Sequence, residues 1–126
     1  MARHNIFGHI GEQAARDFLI TRGLIVREQN WKLNHLEIDI VAEEPEKSLL
    51  HIVEVKTRSN VGPYDPLKAI DAKKQRNLIN AANGYIKHYK LNMGVQFDVM
   101  IITGNVDDLK IEYIPRAFYP RLRTYR

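Results

Sequence analysis

Cysteine is absent from the 126-residue chain. That excludes disulfides, thiol nucleophiles and Cys-ligated zinc, and it suits a reducing compartment. Long apolar runs are missing too, and none approaches the roughly 20 residues that a membrane-spanning helix needs. The opening stretch, MARHNIFGHIGE, lacks the apolar core of a secretory signal. There is no internal repeat, low-complexity tract or Pro/Gly-rich linker to divide domains. One domain over residues 1–126 is expected, cytoplasmic and without a membrane partner, with a basic C-terminal tail from about residue 115.

Several chemistries are missing as well. Serine occurs only at Ser48 and Ser59, in loops without nucleophile-elbow context. No P-loop or G-x-G-x-x-G is present to cradle a nucleotide phosphate. The histidines His4, His9, His35, His51 and His88 show no metal-ligand spacing. His51 shares a strand face with Val53 and Val55 and reads as a packing or hydrogen-bonded residue.

What remains is ordinary globular composition, 44% hydrophobic and 27% charged, which argues against disorder. Nineteen Lys+Arg against fifteen Asp+Glu leave a net charge of +4, unevenly laid out. From Glu37 to Glu54 the acids Glu37, Asp39, Glu43, Glu44, Glu46 and Glu54 face the lone base Lys47. From Lys56 to Lys90 the balance reverses: Lys56, Arg58, Lys68, Lys73, Lys74, Arg76, Lys87 and Lys90 stand against Asp65 and Asp71. After Pro115 arginine is the only charged residue. Many such charges are simply solvated surface. Their segregation also fits an acidic metal site inside a basic surface that holds a polyanion.

The pattern predicts a helix over 8–22, from the stripe Ile10, Ala14, Ala15, Phe18 and Leu19, ended by Gly23; Glu12 lies at the stripe's edge. Residues 24–31 read as a strand. Residues 36–42 and 49–57 are apolar strands joined by a short polar loop, a hairpin pattern. Alternation puts Glu37, Asp39 and Val41 on one face, and Ile52, Glu54 and Lys56 on one face of the next strand. A symmetric antiparallel register sets Asp39 opposite Glu54. Residues 59–65 read as a loop. A helix follows, starting near Pro66 or near 72 depending on whether Asp65 or Asp71 caps it, and ending about Tyr89. Lys74 lies in its apolar stripe, between Ile70 and Leu78, so it points toward the sheet. Strands over 95–102 and 109–114 complete an α/β order of α-β-β-β-α-β-β around a mixed or antiparallel sheet.

Two neighbouring carboxylates repel unless a cation lies between them. A hard ion such as Mg²⁺ wants oxygen ligands, which Asp39, Glu54 and the carbonyl of Val55 could supply. Lys56 projects from the same face and could hold an attacking water or neutralise charge on phosphorus. The same spacing also suits a cross-strand ion pair between Lys56 and Asp39, and Lys74 could snorkel along the sheet.

The blocks GHIGEQAARDFLITRGLIVREQNW, LEIDIVA, HIVEVKTR, KKQRNLINAANGYI and QFDVMII together resemble the YraN family of small bacterial proteins. That family is read as endonuclease-like and is similar to archaeal Holliday-junction resolvases of the PD-(D/E)-x-K nuclease superfamily. The resemblance spans about residues 4–102. It implies a restriction-endonuclease-like α/β fold, a central mixed β-sheet flanked by helices. It also implies Mg²⁺ or Mn²⁺ as cofactor. Asp39 matches the first-strand aspartate and Glu54 and Lys56 the E-x-K; Glu12 matches a first-helix glutamate that joins the metal site in the resolvases. Lys74 and Gln75 match a Lys-Gln pair on the following helix. Leu36 replaces the usual glycine, Ile38 stands where the superfamily's proline would be, and Gln96 replaces an arginine. None of these removes a matched metal ligand.

Three readings follow. In the first, the chain is a Mg²⁺-dependent endonuclease acting on branched or single-stranded DNA, with Arg58, Lys73, Lys74, Gln75 and Arg76 toward the nucleic acid. By analogy, cutting a junction calls for two active sites and so for a homodimer. The second is a nucleic-acid-binding module that keeps the fold without catalysis. The third is a scaffold whose basic face binds an acidic protein.

Overall fold

The computed structural model describes residues 3–58 and 70–120. Helix α1 (Arg3–Thr21) is followed by strands β1 (Ile25–Leu33), β2 (Leu36–Glu44) and β3 (Leu49–Arg58). Helix α2 (Ala72–Tyr89) leads to β4 (Gly94–Asn105) and β5 (Asp108–Phe118). The strands form one mixed sheet in the order β1-β2-β3-β4-β5. Neighbours are antiparallel except β3 and β4, which run parallel and are linked through α2. The α/β class and the order α-β-β-β-α-β-β are those the sequence predicts.

Local chemistry sets the boundaries. α1 begins at Arg3, before the predicted residue 8, and carries Ile6 and Phe7 at helical spacing ahead of Ile10. It ends at Gly23, whose φ of 89° lies in the left-handed region. The amides of Gly23 and Leu24 turn back to the carbonyls of Ile20 and Leu19, at 2.9 and 3.1 Å. α2 is capped by Asp71, whose side chain accepts from the Lys74 amide at 2.8 Å. Of the two expected starts, the structure takes the later. Asp65, Pro66 and the loop expected over 59–65 lie outside the described residues. The β4–β5 hairpin turns on Gly104, with a φ of 107°, where a Cβ would strike the Asp108 carbonyl. β5 runs on to Phe118, so residues 115–118, read from sequence as the start of a tail, are strand.

Both faces of the sheet are buried, which is why its central strands read as near-continuous apolar runs. On one face α2 lays Leu78, Ala81, Ala82 and Tyr85 against Val41, Ile52, Phe97, Val99 and Ile101. On the other, α1 lays Ala15 and Leu19 against Ile40, Ala42, Val53, Met100 and Ile102. Alternate residues of β3 therefore feed opposite cores, whereas β2 changes phase at Asp39, with Ile38 in one core and Ile40 in the other. Among the described residues, no helix is long and apolar enough to cross a membrane.

Candidate metal and phosphate site

The β2–β3 ladder ends at Ile40↔Val53, and the next position in register sets Asp39 facing Glu54. β3 continues beside β4 as far as Arg58↔Thr103. From Glu54 onward it is therefore paired along one edge only. The freed Val55 amide donates instead to Oδ2 of Asp39, at 2.8 Å. A carboxylate thus replaces the ladder carbonyl and anchors Asp39 at the point where the strands part.

Glu54 points to the α2 side and is only 3% exposed. Lys74 reaches in from α2 to place Nζ 3.4 Å from Oε2 of Glu54. Lys56 places its Nζ 3.8 Å from the same oxygen. The inward direction expected for Lys74 is what the structure shows. Lys56 pairs with Glu54 rather than with Asp39. Oε1 of Glu54 is buried and has no hydrogen-bond partner among the described residues. An ionised oxygen without a donor is costly in a protein interior.

Asp39 carries the electrostatic consequence. Burial, followed by the negative charge of Glu54, pushes its pKa up to about 7. The Val55 amide, which donates to the charged carboxylate, opposes that rise. Near neutral pH the pair therefore tends to hold a proton where a cation could sit.

Glu12, on α1, feels the charge of Asp39, whereas Glu54 points to the other face of the sheet. Its Oε2 accepts from Nδ2 of Asn30 at 3.2 Å. Burial raises its pKa, the Asn30 bond lowers it, and the charges of Asp39 and Glu37 raise it. Among the described residues, no group of three or more His, Asp or Glu side chains is gathered closely enough to hold a metal ion. The structure thus joins Asp39 and Glu54 with Lys56 and Lys74, and leaves Glu12 at the margin. α1 comes this close because Gly11 lies against Thr57 of β3; a Cβ there would overlap the Thr57 methyl group.

The donor set fits a hard divalent cation. It offers carboxylate oxygens, one of them unpartnered, and no thiol or imidazole. Mg²⁺ keeps several waters and often takes only one or two protein carboxylates.

The remaining expected contacts spread outward. Arg58 is half-buried at the end of β3, and Lys73 and Arg76 are exposed on the first turns of α2. Gln75 uses its amide to donate to the Ile70 carbonyl at 3.3 Å, holding the entry to the helix.

A second polar cluster lies on the α1 side of the sheet. His51 Nδ1 is 2.7 Å from Asp98 Oδ2, and its Nε2 is 2.9 Å from Glu44 Oε1. Asp98 also accepts from the Tyr113 hydroxyl at 2.6 Å, the Gln96 amide at 2.9 Å and the Arg116 backbone amide at 3.0 Å. His51 is the hydrogen-bonded residue the sequence predicts. The convergence on Asp98 is not visible in sequence, since its partners come from three strands. Asn30 and Gly11 also escape the sequence reading, although glycine at both 8 and 11 inside a helix signals a close approach.

The fold and site define a class: a mixed-sheet α/β protein with an acid pair and two lysines where its central hairpin opens. The model of an uncharacterised protein family, UPF0102, matches residues 11–102. A UPF0102 protein of Bacteroides thetaiotaomicron is 40% identical over 122 residues, covering 97% of this chain and 99% of the relative. One from Flavobacterium psychrophilum is 35% identical over 119 residues, covering 94% and 98%. One from Dictyoglomus turgidum is 37% identical over 114 residues, covering 88% and 95%. The chain belongs to UPF0102, the YraN family.

Proposed function

We propose that the protein is a divalent-metal-dependent endonuclease that hydrolyses phosphodiester bonds in nucleic acid, with branched or single-stranded DNA as its substrate class. One observation carries the reading. Glu54 stands opposite Asp39 at the strand opening with one buried carboxylate oxygen that has no hydrogen-bond partner among the described residues, while two lysines balance the other oxygen.

Bound Mg²⁺ or Mn²⁺ would polarise the phosphoryl group and acidify the attacking water. Asp39, Glu54 and the Val55 carbonyl would hold the ion. Asp39 is already immobilised by the Val55 amide. Lys74 holds Oε2 of Glu54 in place and leaves Oε1 for the metal. Lys56 would orient the attacking water and neutralise charge growing on phosphorus. Arg58, Lys73 and Arg76 would bind flanking phosphates, so affinity should fall as salt rises.

The test is cleavage of linear, single-stranded and four-way-junction DNA with Mg²⁺ or Mn²⁺, comparing wild type with Asp39→Ala and Lys56→Ala. Metal-dependent cleavage lost in both variants is expected. Salt-dependent binding with no cleavage by any form would instead support a binding module that has kept the nuclease fold. Absence of salt-dependent binding would favour a scaffold for an acidic protein.

A further inference from the structure

Among the described residues, the non-glycine positions with positive φ are Asn30, Asn34, Ser48, Lys90 and Arg116. Asn34, Ser48 and Lys90 lie in turns or helix caps, where that conformation closes the chain. Asn30 and Arg116 lie inside strands, where it disturbs the ladder. Each of these two donates to a carboxylate. The Arg116 amide reaches Asp98, and the Asn30 side chain reaches Glu12. A left-handed residue inside a strand costs free energy and persists where the surroundings demand it.

The placement of Asn30 gives that demand a purpose. Its neighbours pair as Gln29↔Ile40 and Trp31↔Ile38, so Asn30 stands opposite Asp39. Its φ is 53°, in the region that asparagine tolerates better than most residues. From there Nδ2 donates to Oε2 of Glu12, across to α1, at 3.2 Å. Glu12 otherwise feels the repulsion of Asp39 and Glu37. Without a donor its flexible side chain would be expected to turn away from those charges.

We propose that Asn30 is a positioning residue that holds the Glu12 carboxylate toward Asp39, from the margin of the site, so that its negative charge adds to the field that would draw a divalent cation to Asp39 and Glu54. The proposal rests on the metal-dependent reading above and adds to it a residue that touches neither metal nor substrate. Partners of this kind, one step removed from a metal, commonly change its affinity about 10–100-fold.

The test is Mn²⁺ binding to the full chain without nucleic acid, with free Mn²⁺ counted by electron paramagnetic resonance. The variants are Asn30→Gly, Asn30→Ala, Glu12→Gln and the double variant Glu12→Gln/Asn30→Gly. Glycine keeps the backbone conformation and removes the amide, whereas alanine removes both, and circular dichroism confirms that each variant is folded. Expected is about a tenfold loss of affinity in Asn30→Gly, on the scale of such partners. The double variant should bind no more weakly than Glu12→Gln alone. Wild-type affinity in Asn30→Gly with loss only in Asn30→Ala would mean that the strand geometry matters and the amide does not. Losses that multiply in the double variant would mean that Asn30 acts independently of Glu12. Either result overturns the proposal and leaves the nuclease reading standing. Failure of the wild type to bind Mn²⁺ would remove both.

Discussion

His51 Nδ1 lies 2.7 Å from Asp98 Oδ2, with both residues buried beneath the sheet's α1 face. Burial disfavours charge on His51, but the hydrogen bonds to Asp98 and Glu44 outweigh it and raise its pKa above the usual 6.5. Burial would raise Asp98, yet His51, Tyr113, the Arg116 amide and Gln96 together hold it below 3.8.

The linkage follows from these directions. A raised histidine contributes stability fully below its unfolded pKa and loses it as pH rises through the folded value. A depressed aspartate contributes above its unfolded pKa and loses it as pH falls. This pair therefore stabilises the fold most between about pH 4 and pH 6.5, the ordinary values of an aspartate and a histidine. His51→Ala should cost about 3 kcal/mol at pH 6, on the scale of breaking a buried ion pair. The difference from wild type should shrink at pH 9, as urea titrations at the two pH values would measure.

Asp39→Asn should raise the stability of the metal-free protein. Asp39, pushed up to about 7, binds a proton in the folded state that the unfolded chain releases near 3.8. Its contribution thus turns unfavourable as pH rises between those values, and asparagine removes the repulsion. A gain of about 1–2 kcal/mol at pH 8 is expected, since one pKa unit is worth about 1.4 kcal/mol and partial exposure screens part of it. Melting curves with EDTA check the gain. Adding Mn²⁺ should raise the Tm of the wild type and leave that of Asp39→Asn unchanged.

Gly11→Ala should destabilise by about 1–3 kcal/mol through overpacking. The clash is with the Thr57 methyl group, so Thr57→Ser, which deletes that methyl, should recover most of the loss in the double variant. Denaturant titration of the single and double variants gives the coupling directly. Additive losses would place the strain elsewhere.

Lys56→Ala should lower kcat by about 10²–10³, the usual cost of removing one charge-stabilising donor from an active site. Mn²⁺ affinity should change little, because Lys56 pairs with Oε2 of Glu54 while Oε1 remains for the ion. Single-turnover cleavage set beside a binding titration separates the two effects.

The site is legible in sequence where periodicity decides direction. Strand alternation sets Glu54 and Lys56 on one face, and helical phase turns Lys74 toward them; both directions hold in the structure. The pairing of Asp39 with Glu54 follows from the hairpin, once a symmetric register is assumed. What stays hidden depends on contacts between distant segments. Asn30 meets Glu12 across a strand and a helix, and its left-handed backbone has no local signature in REQNW. Asp98 reads as one polar residue in an apolar strand until β5 brings Tyr113 and the Arg116 amide to it.

The Val55 amide, held by a side-chain carboxylate in place of a strand carbonyl, is also a natural spectroscopic reporter. Its proton resonance senses the charge on Asp39 through a single hydrogen bond, while the amides of the neighbouring ladder do not. In a nitrogen-edited spectrum, a diamagnetic Mg²⁺ titration should move the Val55 signal ahead of those of Ile52 and Val53. Ion occupancy could then be followed at one backbone atom, with no nucleic acid present and no turnover required.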